Sequence, residues 1–191
     1  DVPVVLGGIE ASLRRVTHYD YWQDRLRPSI LQDSGADLII YGMGELPLAD
    51  LCRTLEQRLL HEREEAVCTA HDFRRAMRQY PVRQTVTLER REDIPQGIRP
   101  EDIVLHSHEQ CLADRKAYAE NFKHIEEESN RLHPRRLIQP LGNAFVVVHP
   151  RYPPMTTEQI DRSFSFPYTR LPPPKYQNKR IPAYATIKSS G

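Results

Sequence analysis

Two short glycine clusters carry the first chemical signal in this chain. Gly7 and Gly8 follow the apolar run VPVVL, while Gly42, Gly44 and Glu45 follow ADLIIY. Both runs are short, continuously apolar and rich in β-branched residues, the pattern of strands buried in a parallel sheet. Beyond the carboxyl ends of such strands, glycine allows positive φ and lets a ligand approach the main chain. The helix that follows offers free N–H groups to an anion. Gly7, Gly8, Gly42, Gly44 and Glu45 are therefore the candidate ligand contacts. GMGELP departs from the G-x-G-x-x-G dinucleotide pattern, because Pro47 holds the last glycine's place. Pro47 and Glu45 also fit an ordinary helix start, with proline in the first turn and a carboxylate at the positive end.

The other reactive residue types form weaker patterns. Cys52, Cys68 and Cys111 lie far apart with no C-x-x-C spacing, which predicts buried or semi-buried free thiols and no metal set among them. His106 and His108 flank Ser107, so a Cys–His nucleophile pair with Cys111 is conceivable, though without a local signature. Glu126, Glu127 and Glu128 cannot share one helix face, which argues against paired carboxylates. They read as a solvated helix end, with the basic HPRR cluster near its negative pole. DFRRAMRQ reads as a charged outer helix face, with phosphate contact as the sharper alternative.

Positioning these residues requires a strand at 2–8, a helix over 19–33 kinked or broken at Pro28, and a strand at 36–42. An amphipathic helix follows, with Leu48, Leu51, Cys52, Leu55 and Leu59 on one face. This is a βαβα unit with parallel strands and a right-handed crossover. Next come a basic helix begun near Thr69 and strands within VRQTVTLER and EDIVLHS. One long helix opens on the Ser107/Gln110 capping box, presents Cys111, Tyr118, Phe122 and Ile125, and ends by Pro134. A hairpin turns at Gly142-Asn143, with Pro140 favouring an edge strand. A small helix then opens on a Thr156/Gln159 capping box. The tail alternates prolines with Phe164, Phe166, Tyr168, Leu171, Tyr176, Ile181 and Tyr184, a stiff segment that lays apolar anchors on a neighbouring surface.

The bulk composition narrows the function classes. The 191 residues carry 27 Lys and Arg against 26 Asp and Glu, so no global field favours nucleic acid or membrane. Hydrophobic content is 39% with a mean hydropathy of -0.64 and 16 prolines, which predicts extended segments that pack on something else. No run is long enough to span a bilayer and no signal peptide is evident, so the expected setting is cytoplasmic. The start at Asp1 and the final IPAYATIKSSG both read as cuts in a longer protein.

VPVVLGGIEASLRRVTHYDYWQDRLRPSIL, ADLIIYGMGE, HIEEESN, YPPMTTEQIDRSFSFPYTRLPPPKY and IPAYATIK, in that order, resemble the YgiQ-type radical SAM proteins. The resemblance covers nearly the whole chain and is weakest over 62–99. It implies that IPAYATIK leads into a barrel with a C-x-x-x-C-x-x-C motif, whose thiolates hold a [4Fe–4S] cluster. S-adenosylmethionine would bind the remaining iron position. Cys52, Cys68 and Cys111 do not match those ligands, so neither cofactor is expected in this fragment.

The resemblance further implies an α/β fold class: a partial flavodoxin-like, cobalamin-binding-like unit at 1–62. An α+β insert would occupy 63–150 and a proline-rich connector 151–191. The D-x-H-x-x-G loop of cobalamin binders is missing, so cobalamin binding is left open, with the glycines edging the crevice by analogy. The chain itself is then non-catalytic and positions or covers its own barrel domain. The alternatives are a stand-alone module for a corrinoid or nucleotide, or a protein- or RNA-interaction domain. A homodimer through exposed strand edges is a further expectation; membrane and nucleic acid are not expected partners.

Overall fold

β1 (Val5–Leu6) leads through Gly7 into α1 (Gly8–Leu13), and a small antiparallel pair follows, β2 (His18–Asp20) with β3 (Arg25–Arg27). Then come α2 (Ile30–Ser34), β4 (Leu38–Ile40) and α3 (Glu45–Leu55). The middle of the chain supplies α4 (Ala70–Gln79), β5 (Thr85–Arg90), β6 (Ile103–Val104), α5 (His108–Ala113), α6 (Arg115–Asn130), β7 (Leu137–Leu141) and β8 (Ala144–Val148). α7 (Thr157–Phe164) lies in a second unit that begins at Met155. The computed structural model describes residues 2–57, 69–94, 96–169, 171–176, 179, 181 and 184. Cys68, Leu59, Ile187 and most of IPAYATIK lie outside them.

The architecture is mixed α/β. Six strands form one sheet in the order β1-β4-β5-β8-β7-β6, with β2 and β3 apart in a sheet of their own. β1·β4 is parallel, as the βαβα pattern predicts, and so is β6·β7; the three pairings between β4 and β7 are antiparallel. Strands from 1–62 and from 63–150 thus share one sheet, through β4·β5. Alternation along β4 sorts its side chains to opposite faces. Ile39 joins Leu31, Val86, Leu137 and Val146, whereas Leu38 and Ile40 join Leu51, Phe73 and Met77 from α3 and α4.

Five local expectations change. Residues 19–33 do not form one helix: they make the β2–β3 hairpin and the short α2, with Ser29 capping α2. Tyr21 and Trp22 are exposed, so their helical spacing marked no buried face. Asp20 and Asp24 supply turn chemistry there, Asp24 at φ 48. The strand at 2–8 shrinks to two residues on the sheet edge, with Val2, Val4 and Val5 exposed, so it is not buried on both faces. The long helix breaks at Asp114, which ends α5 and caps α6 by accepting from the Lys116 N–H at 2.8 Å. Pro140 is no edge-strand marker, since β7 lies between β8 and β6; β6 pairs only as far as Ile138 and leaves Pro140 without an outer neighbour in register.

The fifth change concerns Glu128, which is not solvated. It is buried and accepts from the Arg135 main chain at 2.7 Å and its guanidinium at 2.6 Å, with Arg131 at 3.0 Å. Burial alone pushes its carboxyl up, but these donors together hold it below the ordinary value.

The capping boxes at Ser107/Gln110 and Thr156/Gln159 form as their spacing predicts, and so does the Thr69 cap of α4. In the second unit, Phe166 and Tyr168 meet edge to face at 6.1 Å, and both remain exposed along with Phe164 and Leu171.

Candidate functional site

Because β1 and β4 run parallel in register, Val5 beside Leu38 and Leu6 beside Ile39, their following loops emerge side by side. Gly7 caps α1 in an extended conformation, and Gly8 follows at φ 87. Ser12, one turn along α1, ties the loops together: its hydroxyl donates to the Gly8 carbonyl at 2.7 Å and accepts from the Gly42 N–H at 2.9 Å. The structure therefore brings Gly7, Gly8 and Gly42 together beyond the ends of β1 and β4. Gly44 caps α3 and Glu45 opens it, exposed at the helix's positive end.

Gly42 is glycine for two reasons. Its φ of 68 is left-handed, and an added Cβ would lie 3.3 Å from the Gln84 amide nitrogen. That nitrogen donates to the carbonyls of Tyr41 at 2.7 Å and Met43 at 2.6 Å, while Gln84 Oε1 accepts from Tyr152 N–H at 3.1 Å. Gln84 itself sits at φ 61. Sequence reasoning missed it, and a glutamine entering a strand offers no signal.

A polar cluster adjoins these loops. The Arg15 guanidinium stands 5.1 Å over the Tyr41 ring and donates to Ser12 O at 2.5 Å, with its Nε buried and without a hydrogen-bond partner. Burial lowers the Arg15 pKa and raises Tyr41 to about 12, so the Tyr41 hydroxyl stays protonated and donates to His149 O at 2.6 Å. Exposed apolar side chains rim the loops: Ile9, at 81% exposure, with Leu13, Met43 and Leu48.

The Cys–His pair is not formed. Cys111 is buried, its thiol pushed up by burial, and its Sγ lies 3.9 Å from the His106 carbonyl oxygen and 3.2 Å from Asn121 Nδ2. The His106 ring turns to Glu120 at 2.7 Å, and His108 Nδ1 meets Thr17 Oγ1 at 3.0 Å. This cluster joins elements: the His106 carbonyl also accepts from Asn121 and Gln139, and Gln139 Oε1 accepts from the Thr17 N–H at 2.8 Å. Among the described residues no group of three His, Cys, Asp or Glu gathers as a metal set, and Cys52, expected to be at least half-buried, is instead exposed on α3. Nor is any described helix long and apolar enough to cross a membrane.

The basic patches are matched by carboxylates. Arg74 faces Asp37 at 3.2 Å, Arg78 faces Glu89 at 2.6 Å, and Arg136 faces Asp102 at 2.6 Å inside the fold. At the loops after β1 and β4 the described residues thus present main chain and exposed apolar side chains, with the Ser12 hydroxyl engaged by the Gly8 carbonyl and the Gly42 N–H.

The family model "Radical SAM N-terminal" matches residues 1–190. The chain is 53% identical over 190 residues to a UPF0313 protein of Bacteroides thetaiotaomicron, covering 100% of this chain and 30% of that protein. A UPF0313 protein of Porphyromonas gingivalis is 48% identical over 194 residues, with 100% and 27% covered. The Escherichia coli K12 UPF0313 protein YgiQ is 34% identical over 226 residues, with 100% and 31% covered. The chain therefore belongs to the radical SAM N-terminal family, and it spans about three tenths of the length of the curated relatives it matches. No solved structure matches it significantly.

Proposed function

We propose that this chain is the non-catalytic N-terminal part of a radical SAM enzyme and that it positions or covers a catalytic barrel formed elsewhere in the same polypeptide. The observation that carries the reading is the family match over 1–190 in a chain spanning 30% of its 53% identical relative. In the whole protein a [4Fe–4S] cluster would bind S-adenosylmethionine and supply the radical chemistry. The described residues do not fit such a cluster: Cys52 is exposed on α3 and Cys111 is buried under α6.

The contribution of this chain is surface. The rim of Ile9, Leu13, Met43 and Leu48 supports docking at the glycine loops, and the exposed Phe164, Phe166, Tyr168 and Leu171 support a connector at 151–191. The parallel β1·β4 pair with its glycine loops supports a flavodoxin-like, cobalamin-binding-like reading of 1–62, with 63–150 as an insert. The exposed edge of β1 is where a further strand would pair, from the same protein or from a second copy. The pairing of Arg74, Arg78 and Arg136 with carboxylates argues against nucleic acid. A cytoplasmic setting goes with this reading.

Anaerobic reconstitution of the full-length protein with iron and sulfide should produce the electron paramagnetic resonance signal of a reduced [4Fe–4S] cluster and S-adenosylmethionine cleavage. Reductive cleavage by the 191-residue chain alone would overturn the reading. One rival is a stand-alone corrinoid or nucleotide module, for which the glycine loops after the parallel strands β1 and β4 speak. Equilibrium dialysis with hydroxocobalamin and adenosine nucleotides tests it, and tight binding lost in Gly44→Trp would establish it.

A further inference from the structure

The β2–β3 hairpin pairs with no strand of the central sheet, and its tip carries Tyr21 at 77% and Trp22 at 87% exposure. The tip is not slack. The Asp20 carboxylate accepts from the N–H groups of Trp22 at 2.9 Å and Gln23 at 3.1 Å, and Tyr19 Oη donates to Asp24 at 2.5 Å. The two rings meet edge to face at 5.8 Å. At the base, Thr17 is tied to Gln139 on β7 and to His108 on α5, and Arg27 reaches Asp33 at 2.7 Å. An aromatic pair held this firmly has already lost the conformational entropy that docking costs.

We infer that Tyr21 and Trp22 form a preorganised anchor that inserts into an apolar pocket on the portion of the full-length polypeptide outside these 191 residues. The inference rests on the reading of this chain as one part of a larger radical SAM protein. Three observations fix the occupant. The relatives are more than three times as long as the chain, which covers 30% of one and 27% of another, so a large covering surface exists in the same molecule. A two-residue tip buries far less than the roughly 800 Å² per partner that a stable intermolecular interface takes, while a tethered partner at an effective concentration on the order of millimolar needs no such area. The hairpin offers a polyanion no positive field, because Asp20 and Asp24 balance Arg25 and Arg27.

The test places p-benzoylphenylalanine at position 22 of the full-length protein and maps photo-crosslinks by mass spectrometry. Crosslinks within one polypeptide, to residues outside the 191, are expected. Crosslinks between copies, to residues within the 191, to nucleic acid, or none at all, overturn the inference. In the full-length protein, Tyr21→Ser with Trp22→Ser should speed protease cleavage between this part and the remainder roughly tenfold, the effect of truncating aromatic anchors. The same pair of changes should leave the denaturation midpoint of the 191-residue chain in place, which separates docking from folding. Loss of cluster assembly with crosslinks retained would sink the radical SAM reading and spare the anchor. An intact cluster with no crosslinks would do the reverse.

Discussion

The two hairpins among the described residues are built on opposite terms. β7–β8 pairs five residues on each side, from Leu137↔Val148 to Leu141↔Ala144, and is packed on both faces. β2–β3 pairs three, stands in a sheet of its own, and is held by side-chain hydrogen bonds at its base. The first is positioned by apolar packing, which fills every direction around it. The second is positioned by directional polar bonds, which fix its base and leave the tip free to face something else. Apolar packing thus builds the scaffold, and polar ties at a base keep a surface available.

The contrast can be broken most severely at the base of β7. Arg136 and Asp102 form an ion pair that is almost wholly buried, so Arg136→Ala leaves a buried carboxylate uncompensated. A loss of about 3–5 kcal/mol is expected in urea denaturation. Next in size is the pH response at the end of β8. His149 is buried with an unpartnered Nε2, and burial, helped by Arg136 and Arg99, lowers its pKa to about 4. Its unfolded value is higher, so protons bind the unfolded state more tightly. Stability should therefore fall as pH drops from about 6.5 through about 4, by up to about 3 kcal/mol, and His149→Phe should flatten that part of the profile.

Gln139→Leu cuts the bond that joins the two hairpins and strands the Thr17 N–H, while the His106 carbonyl keeps Asn121 as a donor. A cost of about 1–3 kcal/mol is expected, with hydrogen exchange rising most at β2–β3. The smallest effect is the most discriminating. Trp22→Ser should change the stability of the 191-residue chain by no more than about 0.5 kcal/mol. As the single tryptophan of the chain, Trp22 should be fully open to acrylamide quenching there.

Packing explains which hairpin the sequence revealed. β7–β8 was legible because Gly142-Asn143 sits between two apolar runs, and both runs are buried. The Thr69, Ser107 and Thr156 caps were equally legible, being set by local hydrogen bonds. β2–β3 was not, because Tyr21, Trp22, Leu26, Ile30 and Leu31 share a helical period without sharing an environment. Leu31 is core, while Trp22 faces solvent. The glycine loops could be read from their residue types, but the side chains that hold them in shape could not. Ser12 bonds Gly42 across 30 positions, and Gln84 bonds Tyr152 across 68. Contacts of that span leave no periodic trace.

Gln84 carries a mechanical consequence. One side-chain amide grips the loop after β4 through Tyr41 and Met43, and its oxygen grips Tyr152. The main chain of the same residue holds Pro150 and Tyr41. A tug on the strand exit at 150–152 therefore reaches the loop after β4 through a single residue. Residue 84 works as a tie rod between the route out of the sheet and that glycine loop.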